Sequence, residues 1–400
     1  MDKKKMPFDD MFTGIKDPSP NATLSPKWDE ITKFSEWADV PKECIDPNKF
    51  NWSLLSDEEV TPEKLHDVIS LVEVDTTQRI ADPLFCFDFN GHNVMPRGNI
   101  MNITGLQKNG KSQLLNILCA ISLTKSRKHA FGSDDTFGSI KAISTYDKVL
   151  WIDTEQGAYD IQANNIRLFN LMGLCTDPLQ SQTLPNARDY GLHILSVSEY
   201  MPETRRAITQ SAIKLYDPDL IIIDGIRDMM HDINDHGESE FVLSWLKQLS
   251  KGRDVWNVIH QNPTGGDKIR GAIGTELMNK CSLTFEVKKQ SGMFSFSVPT
   301  NGCRQDAGDK AVLFRYGVGG LLYPVTVWDI ISRIYAEIPS RKADTETLAK
   351  KVAELTGTEK IRVFADVIAP ALNLGYIEDY ETDKGKHMYN FKGYGNDGKE

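Results

Sequence analysis

The feature that most constrains this sequence is a glycine-rich segment that fits the pattern G-x4-G-K-S without a gap. An apolar run at 100–103 precedes it, and a helical pattern at 112–125 follows it. Glycine is needed where backbone N–H groups curl around an anion, because a side chain would block the approach. The segment therefore predicts a strand, a phosphate-binding loop (the P-loop) and a helix. The residues of the P-loop are Gly105, Leu106, Gln107, Lys108, Asn109, Gly110, Lys111 and Ser112.

The end of the P-loop carries the side chains with the clearest chemistry. Lys111 would reach the β- and γ-phosphates of a nucleotide, and Ser112 would offer its hydroxyl to Mg²⁺. The helix that begins here points the positive end of its dipole at the anion, so Gln113 joins the predicted nucleotide contacts. The alternative is a chance glycine turn, which the position between a strand and a helix argues against. We expect a nucleotide site that holds Mg²⁺.

Short apolar runs alternate with helical patterns from residue 99 to about residue 258. Nearly continuous apolar strands joined by helices indicate a mainly parallel sheet that is covered on both faces. Two later runs, at 283–287 and 293–298, predict an antiparallel pair joined by a polar turn. The expected fold class is therefore α/β, with a P-loop core. The other predicted strands span 100–103, 149–152, 193–197, 220–223 and 255–259, and the helices span 112–125, 204–216 and 239–249.

Two of the predicted strands lead into carboxylates. Asp224 follows four aliphatic residues, a position from which an acid reaches the Mg²⁺ shell. The alternative for Asp224 is a turn residue at the end of a buried strand. Glu155 follows the strand at 149–152 and would lie beside the γ-phosphate, where a carboxylate can orient and polarise the attacking water. Asp153 could do this instead, or could simply end the strand.

A third strand, at 255–259, ends in polar groups. His260 and Gln261 follow it directly. An imidazole or an amide at this position can hydrogen-bond the γ-phosphate and report its loss. The alternative is that both are ordinary polar residues of a loop.

The order of these motifs resembles that of the RecA-like ATPases. Within them the chain looks like the RepA and DnaB class of ring helicases carried by plasmids, phages and other mobile elements, over about residues 84–320. The resemblance implies a homo-oligomer, expected to be a hexamer, that hydrolyses ATP with Mg²⁺ and unwinds or translocates DNA during replication. It also implies site roles: Lys111 and Ser112 bind phosphate and Mg²⁺, Glu155 is the catalytic base, Asp224 is the second acid, and His260 or Gln261 is the sensor.

The resemblance further implies cations that act on the site of a neighbouring subunit. Arg270 lies just past the sensor strand, where RepA-like proteins carry an Arg-Gly pair. Arg304 lies where DnaB-like proteins carry Lys-x-Arg on a late strand, but here Gly302 replaces the lysine. A trans arginine meets charge that develops in the transition state. Both arginines remain candidates, and the alternative for each is a solvated loop charge.

A local surface is expected for any contact with single-stranded DNA. The chain has 46 Lys and Arg against 56 Asp and Glu, a net charge of −10, which excludes a surface coated in positive charge for duplex DNA, RNA or anionic lipid. The loop at 262–274 carries Lys268 and Arg270, with glycines that include Gly265, Gly266 and Gly271, and the corresponding loops of the resembled family line a central channel. The loop could equally act in trans without touching DNA.

Three domains are expected: an N-terminal arm (1–83) with one helix beginning near Thr61, the ATPase domain (84–325) and a C-terminal domain (326–400). In the last, helical patterns at 329–337, 345–355 and 360–372 precede a hairpin, which predicts a winged-helix-like α+β fold. Residues 329–400 hold 11 Lys and Arg against 13 Asp and Glu, which favours a protein-contact or lid role over duplex reading. The alternative is a local basic patch of Lys350, Lys351, Lys360 and Arg362.

Other classes of function receive less support from the sequence. The six cysteines lie far apart, without a Cys-x-x-Cys pair, so a zinc site or a disulfide framework is not expected. Since no apolar run approaches 18 residues, we expect no membrane span and a cytoplasmic location. Two rivals remain: a nucleotide-switched DNA-binding or recruiting ATPase in recombination or regulation without unwinding activity, and a P-loop kinase. Glu155 and the His260/Gln261 pair argue against the kinase.

Overall fold

The computed structural model divides the chain into two units, Met1–Asp82 and Pro83–Glu400. It describes residues 61–70, 72–77, 79–124, 135–174, 185–262, 269–290, 292–308, 310–317, 320–356 and 360–392. In the first unit, helix α1 (Pro62–Ile69) begins where the sequence predicts it. Pro62 suits the first turn because the N–H that it lacks would have no partner there.

The second unit is built around a nine-stranded sheet of order β13-β12-β11-β10-β3-β9-β8-β6-β7. Strands β10, β3, β9, β8, β6 and β7 run parallel, and β10 to β13 are antiparallel to one another. The parallel sheet and the late antiparallel pair are therefore confirmed. The bounds are β3 (Ile100–Gly105), β6 (Val149–Asp153), β7 (Leu192–Ser196), β8 (Leu220–Asp224), β9 (Asp254–His260), β10 (Leu283–Gln290), β11 (Met293–Ser297), β12 (Val312–Tyr316) and β13 (Leu322–Pro324).

Helices cover both faces of this sheet. Residues of β8 show why the strands are continuous apolar runs. Ile222 packs on the face that a first pair of helices covers, and Ile221 packs on the opposite face, which three other helices cover. Successive strand residues point to opposite faces, so a strand buried on both sides needs an apolar residue at every position. The first pair is α2 (Lys111–Ser122) and α3 (Ala158–Leu171), and the others are α4 (Pro202–Tyr216), α5 (His236–Leu249) and α6 (Gly271–Lys280).

A small four-stranded sheet of order β2-β1-β5-β4 adjoins this core. Its hairpin turns at Asn90 and Gly91, both with positive φ (56° and 85°), as the Asn-Gly pair predicts. The strands β4 and β5 of this sheet were not anticipated, because both are very short. The bounds are β1 (Phe85–Phe89), β2 (His92–Pro96), β4 (Thr136–Phe137) and β5 (Ile140–Ala142).

The C-terminal part has its own apolar core, which Met293 of β11 also joins. Its sheet has three strands in the order β14-β16-β15, where the sequence predicts a two-stranded hairpin. Its third predicted helix is broken by a π-helical segment, Phe364–Ile368, just before Pro370, which has no N–H to donate. The bounds are α7 (Val327–Ala336), β14 (Lys342–Asp344), α8 (Thr345–Thr356), α9 (Lys360–Val363), α10 (Ala369–Asn373), β15 (Ile377–Glu381) and β16 (His387–Phe391). In the parts of the chain that the structure describes, no helix has the length and apolarity to cross a bilayer.

Candidate active site

The P-loop connects β3 to α2 and holds two glycines that no other residue could replace without strain. Gly105 has φ 156°, and a Cβ atom there would lie 2.4 Å from the carbonyl oxygen of Val287. Gly110 has φ 97°, and a Cβ atom there would lie 2.6 Å from the ring of Phe294. The tight packing of the loop against β10 and β11 therefore requires glycine at both positions.

Lys111 lies inside the curve of the loop and is almost fully buried. Its Nζ atom donates hydrogen bonds to the carbonyl oxygens of Gly105 (3.1 Å) and Leu106 (2.9 Å). Burial lowers the pKa of Lys111 to about 8, although the nearby Glu155 and Asp224 carboxylates oppose the shift. The ammonium group of Lys111 is thus held within the P-loop, where it can pair with an anion.

Asp224 ends β8 and is the most perturbed acid of the site. Burial, followed by the neighbouring Asp153 and Glu155, raises the pKa of Asp224 to about 8. Its Oδ2 atom is buried and has no hydrogen-bond partner among the described residues. Such an orphaned oxygen fits a cation, and Ser112 lines the same cavity. In the described ranges no cluster of three or more His, Cys, Asp or Glu could hold a metal ion.

The two acids after β6 have different surroundings. The Oδ1 atom of Asp153 accepts the backbone N–H groups of Glu155 (3.0 Å) and Gln156 (2.7 Å), so this carboxylate holds the turn. Asp153 is buried, and burial raises its pKa. Glu155 is half exposed and lines the cavity. Of the two acids weighed for the attacking water, Glu155 therefore has the access to solvent.

Glu155 contacts His260, which ends β9. The Nε2 atom of His260 lies 3.2 Å from the Oε1 atom of Glu155, which requires the imidazole proton on Nε2. This hydrogen bond is the main reason that the pKa of Glu155 is lowered, with Lys111 and Arg227 adding to it and burial opposing it. The carboxylate is therefore ionised and oriented at neutral pH.

The remaining predicted residues lie in other surroundings. Gln261 donates from Nε2 to Glu286 (2.6 Å), and is not among the described residues that line the cavity. Arg270 begins α6 and is exposed, and the exposed Arg304 donates from Nη2 to the carbonyl oxygen of Lys280 (3.3 Å). Neither arginine lines the cavity within the described ranges. Lys268 and the other residues of 263–268 fall outside the described residues, and the prediction of a loop is wrong for 271–274, which begin α6.

Lys111, Ser112, Glu155, Asp224 and His260 line one cavity of about 880 Å³. The P-loop contributes Gln107, Lys108, Gly110, Lys111, Ser112 and Gln113 to its lining, whereas the predicted contacts Gly105, Leu106 and Asn109 are not among its described lining residues. Sequence reasoning missed Gln156, Asp160, Arg167, Val258, Lys289, Phe294 and Tyr316, which also line it.

Four of the missed residues, Arg167, Lys289, Phe294 and Tyr316, are cationic or aromatic and come from α3 and the antiparallel strands. The rings of Phe294 and Tyr316 meet edge to face at 5.7 Å, and the Nζ atom of Lys289 lies 5.3 Å from the centre of the Phe294 ring. Burial raises the pKa of Tyr316, while Arg167 and a hydrogen bond with Gln113 lower it. These residues carry no local motif, because helix α3 and the antiparallel strands bring them to the site from far along the chain.

Comparison with known proteins bears on the same region. The model of the AAA domain family matches residues 66–261 of this chain, a range that holds the P-loop, Glu155, Asp224 and His260. This match supports a RecA-like P-loop ATPase. A KaiC-like protein from the hyperthermophilic archaeon Pyrococcus horikoshii OT3 is similar in structure to this chain, with a TM-score of 0.41 and 10% sequence identity over 62% of this chain and 100% of that one. Among curated proteins, none matches this chain.

Proposed function

We propose that this ATPase hydrolyses ATP by in-line attack of a water molecule that Glu155 positions. The observation that carries the proposal is the meeting of Glu155, His260 and Lys111 at one cavity, at the carboxyl ends of neighbouring strands. A base must be ionised and within reach of the water, and the lowered pKa of Glu155 meets the first condition. His260 is the favoured sensor because it lines the cavity and touches the base.

In this proposal, the remaining cavity residues bind different parts of the nucleotide. Lys111 binds the β- and γ-phosphates, and Ser112 and Asp224 would hold Mg²⁺, which neutralises charge on the phosphates. The exposed ring of Tyr316 offers an aromatic surface for the nucleotide base, and the buried Phe294 supports it edge to face. The cavity of about 880 Å³ has room for a nucleotide of this size.

We further propose that the ATPase works as a homo-oligomer, with a hexameric ring as the form that the family resemblance favours. Arg270 and Arg304 are both exposed and lie outside the described lining of their own cavity. Each could therefore reach a γ-phosphate only in the site of a neighbouring subunit. An arginine supplied in this way stabilises the charge that develops during phosphoryl transfer.

The proposed use of ATP is unwinding of DNA or translocation along a single strand during replication of a mobile element. The support is the motif order and the basic segment at 262–274, which carries Lys268 and Arg270. Three helical segments and a small sheet with a hairpin favour a winged-helix-like C-terminal domain. Its acidic balance favours the second candidate, a nucleotide-switched DNA-binding or recruiting ATPase that does not separate strands.

Hydrolysis is tested by measuring ATP turnover of the full chain and of its Lys111→Ala variant. The variant should lose activity because the γ-phosphate loses its cation, whereas Lys350→Ala, which removes an exposed lysine paired with Glu354, should not. Full activity in Lys111→Ala would overturn the assignment of the P-loop.

Motor action is tested with single-stranded and forked DNA. A helicase should show DNA-stimulated ATP turnover and separation of the fork, and negative-stain images with ATP and DNA should show closed rings. Stimulation without separation would favour the recruiting ATPase instead. The absence of both responses would overturn a DNA role.

A further inference from the structure

A second cavity lies between the antiparallel edge of the main sheet and the C-terminal helices. Its volume is about 470 Å³, within the range of small-molecule sites. Strands β10 to β13 form one wall, and α7, α8 and α9 face them. Nothing in the proposed ATPase chemistry uses this cavity. The lining residues that matter for its chemistry are Lys288, Ser295, Ser297, Lys310 and Arg362.

The β10–β11 hairpin lines both this cavity and the cavity at the P-loop, which we call the nucleotide cavity. In the β10–β11 pair, Lys289 lies opposite Phe294, and both line the nucleotide cavity. The next pair along, Lys288 and Ser295, lines the second cavity. Because successive strand residues point to opposite faces, the two cavities lie back to back across one layer of sheet.

The charge of the second cavity contrasts with that of the chain. Three cations and a single carboxylate, Asp366, line it, although the chain as a whole carries a net charge of −10. Two cations are already oriented: Lys288 lies 2.9 Å from Glu286, and Arg362 lies 3.4 Å from Asp366. Lys310 is exposed and also lines the cavity. The excess of positive charge favours an anion.

The uncharged polar groups of the lining indicate which kind of anion the cavity would bind. Ser295 and Ser297 are half-buried on the strand that carries them and add hydroxyl groups between the cations. Gln290, Thr326 and Thr356 are further polar lining residues, and Val312, Ile330 and Val367 are among the apolar ones. Hydroxyls beside cations suit a phosphate attached to a polyol, because the phosphate meets the charges and the polyol meets the hydroxyls.

We propose that the second cavity binds a small phosphorylated polyol, with Lys288, Lys310 and Arg362 meeting its phosphate. The ligand would lie behind the hairpin that supplies Lys289 and Phe294 to the nucleotide cavity. Glu286, the partner of Lys288, also accepts the hydrogen bond from Gln261, whose backbone N–H donates to the P-loop residue Gly105 (3.1 Å). A series of contacts through Lys288, Glu286 and Gln261 thus connects the second cavity to the P-loop.

Ribose 5-phosphate is the probe, titrated by calorimetry into the full chain with ADP and Mg²⁺ at saturating concentration. Saturable binding of about one molecule per chain is expected. Lys310→Gln should weaken it about tenfold, because one charge-assisted hydrogen bond is lost. Lys350→Gln is the matched control, since it removes an exposed lysine that does not belong to the described lining.

Two further variants separate this site from the P-loop. Lys288→Gln should weaken binding as Lys310→Gln does, and circular dichroism checks that both remain folded. Lys111→Ala should leave ribose 5-phosphate binding unchanged, even if it abolishes ATP turnover. Binding that survives both cavity substitutions, or no binding at all, would overturn the proposal. Loss of oligothymidine binding in Lys310→Gln without ribose 5-phosphate binding to the parent chain would also overturn it, in favour of a nucleic-acid surface.

Discussion

The Nε2 atom of His260 lies 3.2 Å from the Oε1 atom of Glu155, although 105 residues separate them in the chain. Glu155 follows β6 and His260 ends β9, and β8 lies between these strands in the sheet. The contact therefore spans the end of β8, where Asp224 lies. Because β9 also pairs with β3, the hydrogen bond links the proposed base to the strand that leads into the P-loop.

Removal of the imidazole should change the pH dependence of ATP turnover. The hydrogen bond from His260 is the main cause of the lowered pKa of Glu155, so His260→Ala should raise that pKa toward its ordinary value. Less carboxylate is then present at mildly acidic pH, and the acidic limb of the kcat/KM profile should move to higher pH. The measurement is kcat/KM from about pH 4.5 to pH 8.5.

A second pair in the chain provides the control for this experiment. Glu203 and His231 also form a hydrogen bond that lowers the pKa of the acid, but neither residue belongs to the described lining of the nucleotide cavity. His231→Ala should leave the acidic limb in place. An unmoved limb in His260→Ala would count against Glu155 as the group that titrates.

Replacement of Glu155 by glutamine should slow ATP turnover by about 10²–10⁴-fold, since the amide cannot accept the proton of the attacking water. Binding of ATP should remain, because Lys111 and the P-loop are unchanged. Asp160→Asn is the matched control, as Asp160 is another exposed acid that lines the cavity. Turnover in Glu155→Gln equal to that in Asp160→Asn would refute the catalytic role.

Replacement of Asp224 by asparagine should stabilise the nucleotide-free protein while impairing Mg²⁺-dependent turnover. The raised pKa of about 8 means that the folded state holds the proton more tightly than the unfolded chain. Stability from this group therefore falls as pH rises from about 4 to about 8, and is lowest above pH 8. At pH 7 the carboxyl must take up a proton on folding, and asparagine, which does not titrate, avoids this cost, with an expected gain of roughly 1–3 kcal/mol.

The measurement for Asp224→Asn is urea unfolding at several pH values between 5 and 8. The variant should lose the part of the pH slope that this carboxyl supplies to the parent protein. Asp383→Asn, which changes an exposed acid of the C-terminal part, should keep the parent slope. An identical slope in Asp224→Asn and the parent would show that Asp224 does not titrate in this range.

A methyl group on the P-loop should be poorly tolerated. Gly110→Ala places a Cβ atom 2.6 Å from the ring of Phe294 at a φ of 97°, so we expect a loss of about 1–3 kcal/mol in stability and weaker ATP binding. Gly157→Ala is the control, because Gly157 has φ −81° and open space around its Cβ position. Thermal unfolding and nucleotide titration of both variants test this, and equal behaviour would contradict it.

Mixing of inactive subunits tests whether an arginine acts in trans. Arg270→Ala subunits keep Glu155, and Glu155→Gln subunits keep Arg270, so a mixed oligomer should contain some complete sites and recover part of the turnover. The same mixture with Arg304→Ala tells which arginine acts in this way. No recovery at any ratio with either arginine variant would contradict a trans arginine.

Local pattern was enough to predict the P-loop, the parallel strands and the acids that follow them. It could not choose between His260 and Gln261, because neighbouring residues of a strand point to opposite faces and the sequence does not say which face meets the cavity. The structure places His260 at the cavity and pairs Gln261 with Glu286. Similarly, only the backbone contacts of Asp153 separate its role from that of Glu155.

By itself the sequence determined the features that depend on neighbours along the chain. The glycines of the P-loop allow a backbone conformation that few other residues can adopt. Unbroken apolar runs require strands that are buried on both faces. Tertiary structure alone decided which distant side chains share a cavity. Lys289 and Tyr316 reach the nucleotide site, and Lys288 reaches the second cavity, only because strand pairing sets which face each residue occupies. That choice depends on register and packing between segments, which no local spacing records.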